Sequence, residues 1–132
     1  MLLKLPPHNF PERENDCAIW AIAAYLGVPY EDVLIEVGRE DNMGGKKGLH
    51  VTQIIRICER LGKTVKLYRK VDLDKDVGIL SVWLLERGKK VGHCAVVFSG
   101  KVIDSVGGTM VWDADAYCRS DRAIVHGVIK AV

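Results

Sequence analysis

The chain has 132 residues, 48% hydrophobic and 27% charged, with 19 basic and 17 acidic side chains and a net charge of +2. That is one domain's worth of sequence, with enough apolar residues for a core that needs no disulfide or metal staple. The basic residues are scattered, with Lys46-Lys47 and Arg87 beside Lys89-Lys90 as the nearest thing to a patch, so no nucleic-acid partner is expected. No apolar run approaches the ~20 residues of a membrane-spanning helix.

The first eleven residues contain three prolines and read as an extended arm. "MLLKLPPHNF" shows no apolar stretch followed by a small-residue cleavage site. The expectation is a reducing, cytoplasmic setting with free thiols. The four cysteines, Cys17, Cys58, Cys94 and Cys118, contain no CxxC pair, which argues against a zinc ribbon or a thioredoxin-type redox motif. With no close ligand pairs, neither a metal nor another cofactor is expected.

From Ala18 to Leu26 the chain is apolar nearly all round, the mark of a buried helix, and Gly27 suits the position just past its end. Cys17 stands at its first turn, directly behind Asn15 and Asp16. A helix start stabilises a thiolate through its dipole and free backbone N–H groups. Asp16 suits an N-cap, and its charge would oppose ionisation of the thiol. Pro29 opens a second helix reaching about Val37, with Glu31 and Asp32 in its first turn. Residues 41–47 read as a loop. Leu49 to Leu61 sets Val51, Ile54, Ile55, Cys58 and Leu61 on one face and Arg56, Glu59 and Arg60 opposite, an amphipathic third helix closed by Gly62.

The period then changes. Residues 64–68 alternate like a strand, and 77–86 and 91–98 are apolar on both faces, as central strands are. Residues 101–106 follow a Ser99-Gly100 hairpin signal, 113–118 form a short helix, and 123–132 a last strand. Helices first and an antiparallel meander afterwards define an α+β domain, and the whole chain reads as one.

A two-residue turn at Ser99-Gly100 sets Phe98 opposite Lys101, Ala95 opposite Asp104 and His93 opposite Val106. His93 and Asp104 then share a sheet face as diagonal neighbours, ~7–8 Å apart at the backbone and within reach of a side-chain hydrogen bond. A three-residue loop would instead put Asp104 on the other face. Read alone, the pair is either structural or catalytic, since burial of either group is costly unless they satisfy each other. With Cys17 added, the chain supplies a nucleophile, a general base and a group to orient that base. Cys94 points to the face opposite His93 and reads as packing, as does Cys58. Cys118 shows no partner, His8 and His126 lack an acidic partner at a useful spacing, and His50 reads as a surface or capping residue.

The stretches "NDCAIWAIAAYLGV", "GLHVTQIIRICERLGKTV" and "GHCAVVFSGKVIDS" resemble, in order, the papain-like cysteine peptidases. The likeness is to their compact branch, which includes bacteriocin-leader-processing peptidases and small phage- or mobile-element-encoded relatives. The three span about two thirds of the chain, from Asn15 to Ser105. The resemblance implies a cysteine opening the central helix, packed on an antiparallel sheet that carries a histidine and an aspartate. It implies Cys17 as nucleophile, His93 as base and Asp104 as orienter, acting on a peptide or isopeptide bond. Many relatives carry a glutamine just ahead of the cysteine to bind the oxyanion. Here the sole glutamine is Gln53, so Asn15 takes that role with the Cys17 N–H, and Asn9 is a weaker candidate. Deamidation and acyl transfer use the same groups. The rival reading is a phage-encoded papain-like module that grips a host protein and makes no product. The partner expected is a protein or peptide, with no membrane; oligomeric state is left open.

Overall fold

The computed structural model describes residues 17–40, 49–86, 88–104, 110–120 and 123–132. Helices α1 (Cys17–Leu26), α2 (Tyr30–Val37) and α3 (Val51–Arg60) come first in the chain. Strands β1 (Val65–Tyr68), β2 (Val77–Glu86), β3 (Lys89–Phe98), β4 (Lys101–Asp104) and β5 (Met110–Asp113) follow, then α4 (Ala114–Ser120) and β6 (Ala123–Ala131). The strands make one six-stranded sheet in the order β1-β6-β2-β3-β4-β5, every neighbouring pair antiparallel. The fold is α+β, as expected, but the sheet is not a simple meander. The C-terminal strand inserts between β1 and β2, and β5 was not foreseen. In a bare meander β1 would pair directly with β2; here β6 lies between them and pairs with both, Ile129 facing Leu67 of β1 and Ile79 of β2.

The arm over residues 1–11 and the loop over 41–47 lie outside the described residues. Both predicted helix ends hold. At Gly27 (φ 69°) the Val28 N–H reaches back to Ala23 O at 3.1 Å, and at Gly62 (φ 99°) the Lys63 N–H reaches Cys58 O at 2.9 Å. Such closures need a left-handed residue, which glycine adopts without strain.

Two cores flank the sheet. On one face α1 lies buried from Ala18 to Ala24, against Val33 and Val37 of α2, Ile54, Ile57 and Cys58 of α3, and Ile79, Cys94, Val96, Ile103 and Ile129 of the sheet. On the other face Leu80, Val82, Ala95, Val97, Val102 and Val128 pack on Ala114 and Tyr117 of α4. Central strands buried on both faces explain the continuous apolar runs read from the sequence. The runs outlast the burial, however: Trp83, Leu85 and Val91 are exposed, because the strands extend past the helix layer. The polar face of α3 ties it to α2. Arg60 reaches Glu36 at 2.7 Å and Glu40 at 2.7 Å, and Arg56 reaches Glu40 at 2.6 Å.

The β3–β4 hairpin turns on Ser99 (φ 45°) and Gly100 (φ 92°), both left-handed as a tight hairpin turn requires. Its register is the one a two-residue turn dictates: Phe98 opposite Lys101, Val97 opposite Val102, Val96 opposite Ile103. In β6 the pairing jumps from Gly127↔Ser81 to Val125↔Val82, leaving His126 as a bulge.

Candidate active site

Cys17 is the first residue of α1, half-buried against the helix-side core. As a first-turn residue its N–H has no acceptor within the helix, and the positive end of the helix dipole falls on its side chain. The all-apolar body of α1 is what fixes this position, because a helix buried on every side can sit only between the sheet and the other two helices.

His93 and Asp104 meet as the hairpin register predicts. His93 Nε2 lies 2.8 Å from Asp104 Oδ2 and 3.0 Å from Oδ1, and the two side chains are only 8% and 6% exposed. The β3–β4 pairing runs from Phe98 to Val96, so His93 lies beyond the paired stretch. From there its ring meets both Asp104 and, through a hydrogen bond, Cys17. With Nε2 committed to Asp104, Nδ1 is the ring nitrogen left for the thiol.

Tyr117 of α4 was not singled out by its sequence context. Its hydroxyl donates to Asp104 Oδ2 at 2.8 Å. Tyr117 is fully buried and its ring is held edge-on by Trp112, with centroids 6.4 Å apart. The carboxylate is thus fixed by the imidazole from one side and a phenol from the other. Tyr117→Phe keeps the ring and removes this donor. Hydrogen bonds to charged groups contribute about 1.5–3 kcal/mol, so a loss of that size in urea-unfolding stability is expected. No change in stability would mean that the carboxylate does not depend on the phenol.

Cys94 also belongs to the site. It faces α1, opposite His93 on the strand as expected, and is not mere packing: both its side chain and its backbone hydrogen-bond to Cys17. Alternation along β3 had already assigned its face. Missing from the sequence was that the start of α1 sits over that face.

These contacts set the ionisation. The Cys17 thiol is lowered to about 5, first by the Cys94 side chain, against the opposing effect of burial, and then by the hydrogen bond and charge of His93. His93 is raised to about 10: burial opposes its charge, but the hydrogen bonds to Asp104 and Cys17 outweigh it. At neutral pH the site therefore holds a thiolate beside an imidazolium. Of the four thiols Cys17 alone is lowered. The bond to Cys17 first, then burial, pushes Cys94 well up, and burial pushes Cys58 up to about 12 and Cys118 upward.

Asn15, assigned to the oxyanion, lies outside the described residues, as do Asn9, His8 and Asp16. His50 is the exposed residue heading α3, where its N–H is capped by Gln53 Oε1 at 2.9 Å. His126, for which the sequence offers no acidic partner, lies with its Nδ1 3.4 Å from Ser81 Oγ. Among the described residues no cluster of three or more His, Cys, Asp or Glu could hold a metal ion, and no helix is long and apolar enough to cross a membrane. No family model matches the chain, and no curated protein matches it closely enough to count as a relative.

Proposed function

We propose that the protein is a papain-like thiol hydrolase that cleaves a peptide or isopeptide bond through Cys17, His93 and Asp104. The observation that carries this reading is the continuous chain of contacts from the helix-start thiol to His93 and from His93 Nε2 to Asp104 Oδ2 at 2.8 Å. Structural pairing of a buried histidine and aspartate does not call for a thiolate on the remaining ring nitrogen. The helix-borne cysteine, packed on an antiparallel sheet, agrees with the family resemblance.

Cys17 Sγ attacks the carbonyl carbon, and the resulting oxyanion is met by the Cys17 N–H, with Asn15 as the side-chain donor. The His93 imidazolium protonates the leaving amine, which departs and leaves a thioester on Cys17. Neutral His93 then takes a proton from water, the hydroxide attacks the thioester, and the thiolate–imidazolium pair is restored. Asp104 holds the imidazole orientation and stabilises its charge throughout.

Release of new termini from a mixed peptide library, by wild type but not by Cys17→Ala, tests this reading. Failure of wild type to cleave, or equal cleavage by the variant, would overturn it. The expected pH profile is a bell. Activity falls as pH drops through about 5, where Cys17 takes up a proton, and again as pH rises through about 10, where His93 loses the proton it must donate. A profile with a single limb near ~8.5, the ordinary thiol range, would remove the ion pair from the mechanism.

A further inference from the structure

Cys94 is not needed for the hydrolysis just described, yet it is the thiol that meets the nucleophile. It projects from β3 toward α1 and is buried in the helix-side core against which Cys17 packs, where its side chain and backbone act on the Cys17 thiol. All four cysteines are free. Cys58 is buried in α3, and Cys118 belongs to α4, which packs on the opposite face of the sheet. Cys17 thus has one thiol neighbour. Cys17 itself is half-buried, open enough for a small oxidant, while Cys94 is shielded from one.

We propose that Cys17 and Cys94 form a two-thiol oxidation site, at which a hydroperoxide converts Cys17 through a sulfenic acid to a reversible Cys17–Cys94 disulfide. In the first step the Cys17 thiolate attacks a peroxide oxygen. The S–O bond forms, the O–O bond breaks, and the departing alkoxide or hydroxide leaves as alcohol or water with the proton of the His93 imidazolium. The Cys17 sulfur is oxidised by two electrons and the peroxide is reduced by two. In the second step the Cys94 sulfur attacks the Cys17 sulfur. The S–S bond forms, the S–O bond breaks, and the hydroxide leaves as water with the proton that Cys94 gives up. Cys17 packs against the core that holds Cys94, so the two sulfurs need only a local shift to close to a bond of about 2.05 Å. The disulfide stores the nucleophile in a form that a dithiol restores, and it diverts Cys17 from irreversible sulfinic acid. None of this requires peptide cleavage, so it holds whether or not the hydrolase reading does.

The test is peptide mapping of the full chain after exposure to hydrogen peroxide at neutral pH, with remaining thiols alkylated. The expected product has lost two hydrogens and joins tryptic peptide 14–39 to peptide 91–101, with Cys58 and Cys118 still alkylated and dithiothreitol reversing the link. In Cys94→Ala, the Cys17 sulfenic acid persists to dimedone labelling and goes on to sulfinic acid at least ~10-fold faster than in wild type. The proposal is overturned if wild type accumulates Cys17 sulfinic acid without the link, or if the link runs to Cys58 or Cys118. Mapping of wild type decides the matter even where Cys94→Ala does not fold, and it reads no turnover.

Discussion

Replacing His93 with alanine is expected to raise the midpoint for alkylation of Cys17 by iodoacetamide from about 5 toward the ordinary thiol range. Both the hydrogen bond and the positive charge of the imidazolium are lost, while burial of the sulfur, which opposes ionisation, remains. Cys94 still donates its S–H, so the rise stops short of the full distance to ~8.5. At pH 6 wild-type Cys17 is almost wholly thiolate. A midpoint of ~7.5–8 in the variant lowers the ionised fraction on the order of thirty- to a hundred-fold, and alkylation at that pH slows accordingly. Peptide turnover is expected to fall further, by about 10²–10⁴, because the variant also lacks the group that protonates the leaving amine. Peptide mass spectrometry of alkylated Cys17 across pH, in both proteins, provides the measurement. An unchanged midpoint would show that the thiolate owes nothing to His93, and the nucleophile–base assignment would fail with it.

Trp20→Ala should be among the most damaging single changes to stability, with a loss of about 3–5 kcal/mol. Trp20 is fully buried at the centre of α1, among the largest side chains of the helix-side core. Truncation removes the transfer free energy of the indole and leaves a cavity lined by α1, α2, α3 and the sheet, which close-packed neighbours fill only in part. A domain of this size has a total stability of about 7–20 kcal/mol, so the loss takes a substantial share of it. Urea unfolding should show a lower midpoint with little change in slope. Cys17 sits one helical turn before Trp20, so the same packing that stabilises the domain fixes Cys17 over β3. A loss below ~1 kcal/mol would mean that the indole does not carry the core.

The sequence by itself determined each piece of local structure whose cause is local. The all-apolar stretch from Ala18 marks α1, and Gly27 and Gly62 mark the ends of two helices, because periodicity and left-handed turn residues act over a few positions. The Ser99-Gly100 turn went further. A two-residue hairpin fixes register, and register placed His93 and Asp104 on one face before any tertiary contact was known. Only the tertiary structure decided what comes from distant segments. Tyr117 reaches Asp104 because α4 packs on the face of the sheet opposite α1, and nothing in 114–120 announces that docking. Cys94 meets Cys17 because the buried helix lies across β3, although strand alternation alone gave the side chain its face. β6 lies between β1 and β2, a placement of the last strand that local periodicity does not encode because it depends on pairing between segments far apart in the chain. The three residues of the proposed site, Cys17, His93 and Asp104, were therefore legible in the sequence. The groups that hold them in place and set their charge became visible only when two cores closed on opposite faces of one sheet.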